Sequence, residues 1–451
     1  MSFGCKLAGD YIHCGIQSPV AGPINAPRDQ ISNSMAIPRQ RIHLPPAAWR
    51  SAPGAVLRGN MSEGPAITEF ENAFAAFIGV PDAVTVPSGR AGLRFLFEGL
   101  NLKPGAEVIC SAFGYPIVPF LVKSLGFDLK FADCEIQTLG MDPAALDAAI
   151  SERTAAVIVT HLYGIPCQIR ELAEITKARG ALLIEDCAHC YGASVGGRKA
   201  GAFGDAAYFS FETSKVINAM GGGMVTVRDA ALGDRVRNAG SEEPQKGIAW
   251  LLKRLLKTSF EATVTNPLVF NLGIYQALRL APRGSADDDR FASGYHGDEV
   301  SMTGKMGRYT NYQSRLGLQQ MEHASVRNAR RTVNAERLIG KLRDHIHFQE
   351  PAGPDVSANY MLVTALMPKL QDVCDQLLRS GVDTKHHYMR DCSGMFETGG
   401  TFPNAARAER EVLHLPAHPE MSLAQIDAAA SKIEAVISTL GLSGQDQAHK
   451  E

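Results

Sequence analysis

The feature that most constrains the fold is an alternation of short apolar runs with amphipathic segments between about residues 60 and 230. Helix-like segments separate most of these runs, and such alternation predicts a mostly parallel α/β sheet. Runs such as AAVIVT and ALLI show no polar alternation, so we expect both faces of the sheet to be covered. The seven strand candidates are Ala83–Pro87, Glu107–Cys110, Leu129–Ala132, Ala155–Thr160, Ala181–Ile184, Ala206–Phe209 and Met224–Val227.

The rest of the chain divides into parts of different composition. Residues 1–55 are rich in Pro, Gly, Ser and Asn with little periodicity, which predicts an extended N-terminal arm. Residues 56–240 hold the predicted sheet and form the large domain. Residues 241–305 break the alternation and are interpreted as an insertion. Residues 306–451 predict a smaller C-terminal α/β domain, with a long helix near its start and a final helix whose capping box begins at Ser422.

The insertion contains the stretch KGIAWLLKRLLK, which is both apolar and basic. Helical periodicity places four leucines on one face and the basic residues mainly on another, and the leucines are Leu251, Leu252, Leu255 and Leu256. Two interpretations stay open. The helix packs against the core or a dimer partner, or it forms a lid or membrane-facing patch within 245–283 for a lipid-like substrate.

Charge and cysteine usage narrow the class of partner. Among 451 residues, 45 are Lys or Arg and 47 are Asp or Glu, a formal net charge of −2. This balance argues against a sequence-independent nucleic-acid binder and favours a small-molecule partner. No secretory signal is visible, and nine scattered cysteines are typical of a cytoplasmic protein with reduced thiols. The lone Cys187–Cys190 CxxC has no second pair, so it indicates packing rather than a metal site.

Two residues in the sheet region carry candidate chemistry. Asp186 follows the run Ala181–Ile184 at the carboxyl end of a predicted strand, the edge where open α/β sheets bind ligands. Lys215 follows the next strand and precedes a Gly run, a setting that suits a lysine held in a site. Seen alone, Asp186 could cap a turn and Lys215 could be a surface charge. Together they form the arrangement that pyridoxal phosphate needs, a Schiff-base lysine and an acid on the pyridinium nitrogen.

The segment Ser88-Gly89-Arg90 lies between the first predicted strand and its helix. Free backbone N–H groups at such a helix start can bind a phosphate, although plain capping explains a Ser-Gly pair equally well.

The order of motifs resembles the DegT-type aminotransferases, which are fold-type I pyridoxal-phosphate enzymes that mostly act on keto sugars bound to nucleotides. The resemblance covers about residues 60–235 and 305–440, and its motifs are SGRAGL, SAFGYP, THLYG, IEDCAHCYGA and GDAAYFSFETSK. It implies a large domain with a mostly parallel seven-stranded sheet, a smaller C-terminal α/β domain, pyridoxal 5′-phosphate as the cofactor and a homodimer with shared active sites.

The resemblance also implies residue roles. Lys215 matches the Schiff-base lysine, Asp186 its pyridinium partner, and His189 the residue near the ring oxygen. Tyr115 matches the aromatic that stacks on the ring, and Arg308 matches the Arg of the Asn-x-Arg segment. Ser88, Gly89 and Ser210 match the phosphate binders. The segment with His386, His387 and Tyr388 resembles the substrate-side loop.

Three positions depart from the family pattern. Arg90 stands where a Thr is usual, Met306 where an Asn usually reaches the phosphate of the neighbouring subunit, and Gly221 where an acid is usual. We expect Arg90 to compensate for the missing Asn through charge-assisted hydrogen bonds to the phosphate.

The expected activity is transfer of an amino group from an amino acid, by resemblance L-glutamate, to a nucleotide-linked keto sugar. The alternative acceptors are a cyclitol or a lipid-like ketone or aldehyde. A sugar dehydratase on the same fold is a further alternative, but those relatives replace the lysine with His, and Lys215 is present. A non-catalytic protein on this scaffold is disfavoured by the intact pair of Lys215 and Asp186.

Overall fold

A computed structural model describes residues 35–280 and 304–442. Most of the predicted arm and the part of the insertion over 281–303 lie outside the described residues.

The large sheet has seven strands, which match the seven predicted runs to within two residues at each end. Its order is β1-β10-β9-β6-β5-β2-β4, and β10 alone runs antiparallel to its neighbours. The prediction of a mostly parallel seven-stranded sheet is therefore confirmed. These strands are β1 Asp82–Val86, β2 Glu107–Ser111, β4 Asp128–Ala132, β5 Thr154–Thr160, β6 Leu182–Asp186, β9 Ala206–Ser210 and β10 Gly223–Val227.

Helices cover both faces of this sheet, as its largely apolar and buried strands require. Asp142 caps one of them by accepting a hydrogen bond from the Ala144 N–H at 2.9 Å, and Pro143 is the first residue of that helix. The helices of this region are α1 Pro46–Leu57, α2 Ala66–Ile78, α3 Gly89–Leu100, α4 Ile117–Ser124, α5 Pro143–Ala149, α6 Ile169–Ala178 and α7 Ala230–Ser241.

The last ten residues of the predicted extended arm belong to α1 and are helical rather than extended. Alanines at 48, 52 and 55 form one face of α1 and pack with the buried side chains of Leu251, Leu255, Tyr312 and Leu316. Pro53 and Gly54 weaken the helical signal in the sequence, and this long-range packing supplies the stability that the local sequence lacks.

The insertion begins with the predicted amphipathic helix, α8 Ile248–Val264, followed by helical turns over Pro267–Leu280. The four leucines do not share one environment. Leu251 and Leu255 are buried, whereas Leu252 is 49% and Leu256 62% exposed. The expectation of a single leucine face is wrong, because only the i, i+4 pair at 251 and 255 points into the core. Among the described residues, no helix is long and apolar enough to cross a membrane.

A second, smaller sheet lies in the C-terminal part, with the order β11-β13-β16-β14 and all pairs antiparallel. The helix expected over 311–345 is α9 Asn311–Leu342, and the final helix has the expected capping box of Ser422 and Gln425. The elements here are β11 His347–Phe348, β13 Val363–Leu366, α10 Leu370–Arg379, β14 Lys385–His386, α11 Pro403–Glu411, β16 Val412–Leu415 and α12 Leu423–Thr439.

Short strands join the two parts. One pairs with the loop that follows β2, and three more form a small sheet of their own. They are β3 Phe113–Gly114 with β15 Arg390–Asp391, and β12 Val356–Ser357 with β7 Ser194–Val195 and β8 Arg198–Lys199. The C-terminal part is thereby held against the carboxyl edge of the large sheet.

Candidate active site

The carboxyl ends of two neighbouring strands carry the predicted acid and lysine. Asp186 is the last residue of β6 and pairs in register with Tyr208 of β9, and Lys215 lies in the turn that follows β9. Asp186 is only 5% exposed and accepts a hydrogen bond from the Ala188 N–H at 3.0 Å. Burial raises the pKa of Asp186 above its ordinary value, although this hydrogen bond and the Lys215 charge oppose the rise. A cationic N–H donor at this carboxylate would relieve the cost of its burial.

Lys215 and His189 meet at the hydroxyl of Tyr388, which lies just after β14. Lys215 Nζ donates to Tyr388 Oη at 2.9 Å, and His189 Nε2 lies 3.5 Å from the same oxygen. The rings of His189 and Tyr388 stack with centroids 5.5 Å apart and an interplanar angle of 21°. The structure thus brings a residue of the predicted substrate-side loop into contact with the predicted catalytic lysine.

The protonation of His189 follows from its contacts. The backbone N–H of Tyr163 donates to His189 Nδ1 at 3.1 Å, so Nδ1 is an acceptor and Nε2 carries the proton. Burial, helped by the charge of Lys215, lowers the pKa of His189 well below its ordinary value. His189 is therefore a neutral donor at pH 7, directed toward the Lys215–Tyr388 contact.

Two charges act on Tyr388. Lys385 Nζ lies 3.8 Å from the centroid of its ring, and Lys215 donates to its hydroxyl. Burial alone would raise the pKa of Tyr388, but the charges of Lys215 and Lys385 outweigh it and lower that pKa. Lys385 was missed by the sequence reasoning, and no motif marks it.

The predicted phosphate residues also come together, at the start of α3. Ser88 is the N-cap and its Oγ accepts from the Ala91 N–H at 3.1 Å. A Cβ atom added to Gly89 would lie 3.5 Å from Ser210 Cβ, so these two residues face each other closely. Nη1 of Arg90 is buried and has no hydrogen-bond partner among the described residues. A helix N-terminus with an unpaired guanidinium nitrogen beside it suits a phosphate dianion.

Met306 contacts the predicted phosphate-binding residues at the start of α3 from within the same chain. Ser88 Oγ lies 3.1 Å from Met306 Sδ. The backbone N–H groups of Met306 and Gly307 both donate to Glu243, whose other oxygen pairs with Arg94 at 2.6 Å. The segment around Met306 is thus fastened beside the N-terminus of α3 by Glu243.

The remaining predicted residues have various positions. Tyr115 lies near the site, with its ring centroid 6.1 Å from that of Tyr388. His386 lies on β14 with Nδ1 3.5 Å from Cys374 Sγ, and its ring packs edge-on against that of His387 at 4.7 Å. Arg308 donates to the carbonyls of Ser241 and Glu243, contacts that do not involve Lys215.

A buried network supports the end of β6. His161 Nε2 lies 2.9 Å from Glu185, whose carboxylate also accepts from the N–H groups of Gly201, Phe203 and Gly204. Cys187 of the CxxC lies within 4.8 Å of both side chains, measured between their possible ligand atoms. Because Glu185 is already satisfied by four donors, it acts as an anchor for the strand end that carries Asp186. The sequence signal was an acid at the end of an otherwise apolar run.

Comparisons with known proteins point to one enzyme family. The family model of the DegT/DnrJ/EryC1/StrS aminotransferase family matches residues 51–434. GDP-perosamine synthase of Caulobacter vibrioides is 36% identical over 176 residues, 39% of this chain and 47% of that protein. The L-glutamine:2-deoxy-scyllo-inosose aminotransferase of Streptomyces lividus is 30% identical over 282 residues, 59% of this chain and 66% of that protein.

The chain spans about half the length of most of the curated relatives it matches. Among solved structures, the aminotransferase TlmJ from Streptoalloteichus hindustanus aligns with a TM-score of 0.71 at 23% identity, covering 90% of this chain and 100% of that one. That likeness confirms the fold.

Proposed function

The chain belongs to the DegT/DnrJ/EryC1/StrS aminotransferase family, and from this premise we propose that it is a pyridoxal-phosphate-dependent aminotransferase. The amino donor is an amino acid, L-glutamate by the resemblance, and the acceptor is a nucleotide-linked keto sugar. The observation that carries the proposal is the convergence of Lys215, Asp186 and His189 at the carboxyl edge of the sheet, with Lys215 bonded to Tyr388.

The residues present fit the cofactor. Asp186 is a buried carboxylate that lacks a cationic partner in hydrogen-bond range among the described residues, which suits the N–H of a pyridinium ring. The start of α3, with Ser88, Gly89 and the unpaired Nη1 of Arg90, suits a phosphate. When bound, pyridoxal phosphate supplies an electron sink for negative charge that develops at the substrate carbon.

The chain's own groups supply the rest of the chemistry. Lys215 Nζ is the base that accepts a proton from the substrate carbon and later returns it. The Tyr388 hydroxyl accepts a hydrogen bond from Lys215 Nζ and orients that nitrogen, and the charges of Lys215 and Lys385 lower the pKa of Tyr388. Neutral His189 donates through Nε2 to an oxygen in the site, and Asp186 keeps a ring nitrogen protonated.

The acceptor is the part of the proposal that rests on relatives. The matched proteins include one named for a GDP-linked sugar and one named for an inosose, which is a cyclitol ketone. The keto sugar is therefore our first choice and a cyclitol the second. A screen that follows amine transfer from L-glutamate to nucleotide keto sugars, cyclitol ketones and apolar ketones would decide among them.

We also propose a homodimer with shared sites, a four-part division of the chain at about residues 55, 240 and 305, and a contact role for α8.

Four apolar side chains follow one another at i, i+4 spacing on the exposed side of α8, and we call them the α8 stripe: Ile248, Leu252, Leu256 and Phe260, all 49–68% exposed. We propose that the partner subunit, a membrane surface or a lipid-like acceptor covers the α8 stripe.

The central proposal is tested by chemical fixation of the cofactor. The purified protein should absorb visible light, and borohydride should abolish that absorbance and attach the cofactor to Lys215. Lys215→Ala should lose turnover but retain some cofactor affinity, because the phosphate contacts remain. Lys123→Ala, in α4, serves as the control and should behave as the unmodified protein. A peptide map with the label on another lysine would contradict the proposal.

A further inference from the structure

A small cleft opens beside Lys215, and apart from that lysine none of its walls belongs to the predicted site. One wall is the turn around Lys215, and another is the segment around His418 that follows β16. Arginines from two parts of the chain also line it, namely Arg39, Arg41, Arg327 and Arg331.

The cleft has more cations than anions. Arg39 pairs with Asp383 at 2.8 Å, and Arg327 pairs with Glu420 at 2.8 Å. Arg41 donates instead to neutral oxygens, a carbonyl and a hydroxyl of α8 and the residue after it. The two carboxylates are thus each used by one arginine, and within residues 35–280 and 304–442 no carboxylate lies within ion-pair distance of Arg41 or Arg331.

Arg331 is the clearest case. Its side chain is on α9 and is only 6% exposed. Its guanidinium donates to the neutral Asn328 Oδ1 at 2.7 Å, and no carboxylate lies within ion-pair distance of it in residues 35–280 and 304–442. Burial and the charge of Arg327 lower the pKa of Arg331 to about 10, so it is still charged at pH 7. A buried cation without an anion is costly unless a ligand supplies one.

One further donor lines the same cleft and is unused. Arg327 Nε is buried and has no hydrogen-bond partner within the described part of the chain. With Arg331, Arg327 supplies guanidinium N–H groups in the walls of the cleft that Lys215 also lines. Carboxylate and phosphate oxygens are the acceptors that such groups bind best.

We propose that this cleft binds an anionic group of a substrate, a carboxylate or a phosphate, through Arg331 with Arg327, while the reacting centre of that substrate lies at Lys215. The inference rests on the proposed function and extends it to substrate recognition. A carboxylate would come from the amino donor, and a phosphate from a nucleotide-linked acceptor.

The test measures binding of two unreactive anions, glutarate and inorganic pyrophosphate, to the cofactor-loaded protein by titration calorimetry. Arg331→Gln removes the charge, Arg331→Lys retains it without the planar fork, and Arg330→Gln changes an exposed neighbour on α9. We expect Arg331→Gln to lower the binding affinity for one of the two anions by about ten- to a hundred-fold. Arg331→Lys should lower the affinity for the same anion by a smaller factor, and Arg330→Gln should leave that affinity unchanged.

Loss of glutarate binding would identify the donor carboxylate, and loss of pyrophosphate binding the acceptor phosphate. Unchanged binding of both anions in Arg331→Gln, or in Arg331→Lys if the Gln variant does not fold, would overturn the inference. Since neither probe reacts, this outcome differs from failure of the proposed function, which is judged separately by fixation of the cofactor at Lys215.

Discussion

At the scale of single residues, we predict that Arg90 strengthens the binding of a phosphate at the start of α3. Its Nη1 is buried and unpaired among the described residues, and Met306 offers only a thioether next to Ser88. A charge-assisted hydrogen bond is worth about 1.5–3 kcal/mol. We therefore expect Arg90→Thr to weaken pyridoxal-phosphate affinity by about ten-fold or more, measured by equilibrium titration of the cofactor-free protein.

The exposed Arg50 provides the control, because Arg50→Thr removes an equal charge on α1, away from α3. Unaltered affinity in Arg90→Thr would mean that Arg90 does not bind the phosphate.

His189 predicts a pH dependence of stability. Burial lowers its pKa in the folded state well below 6.5, so the unfolded chain takes up a proton first as the pH falls through about 6.5. The free energy of unfolding should then fall by up to about 1.4 kcal/mol per pH unit for this group, and the stability is fully present above that range. Burial also lowers the pKa of His414, so His414 adds a similar pH dependence of stability.

His189→Gln should remove one of these two contributions while keeping an N–H donor. Between pH 7.5 and 5.5, urea unfolding should show a loss of stability about 1.4 kcal/mol smaller in this variant than in the unmodified protein. An identical loss in His189→Gln would show that His189 is not buried in its neutral form.

At the scale of elements, α8 presents a buried side and an exposed side. Leu255→Ala should lower the free energy of unfolding by about 2–5 kcal/mol, because that side chain is fully buried. Leu256→Ala should change it by less than about 0.5 kcal/mol. Denaturant unfolding of these two variants distinguishes the side of α8 that packs in the core from the side that is proposed to make contacts.

The double change Leu252→Glu with Leu256→Glu tests the α8 stripe itself. The melting temperature should hold, while dimerisation, measured by sedimentation, or binding to anionic liposomes should fall. A large drop in melting temperature at low protein concentration would show that both residues pack within one subunit, and the proposed contact role would be abandoned.

At the scale of the whole molecule, the proposed dimer makes a prediction about Arg308. Within one subunit its guanidinium binds carbonyls of Ser241 and Glu243 and does not reach Lys215. If the sites are shared, mixed dimers of Lys215→Ala and Arg308→Ala should regain one working site from two inactive parents. Verified mixed dimers without recovered turnover would count against shared sites.

The sequence by itself determined the features that depend on neighbouring residues. Largely apolar runs specify the seven strands, because a strand buried on both faces is built mainly from apolar side chains. Local capping residues such as Asp142 and Ser422 specify helix starts. The ordered motifs also located Lys215, Asp186 and His189, because residues at the carboxyl ends of adjacent strands are brought together by the strand order alone.

Only the tertiary structure decided which side chains are buried where distant segments meet. It made α1 a helix by packing it on Leu251 and Tyr312, and it separated Leu251 and Leu255 from Leu252 and Leu256. It also put Arg331 on the buried side of α9, in a wall of the cleft that Lys215 also lines. Burial and charge pairing between remote segments are properties of the packed chain, and these properties set the cost of each polar group.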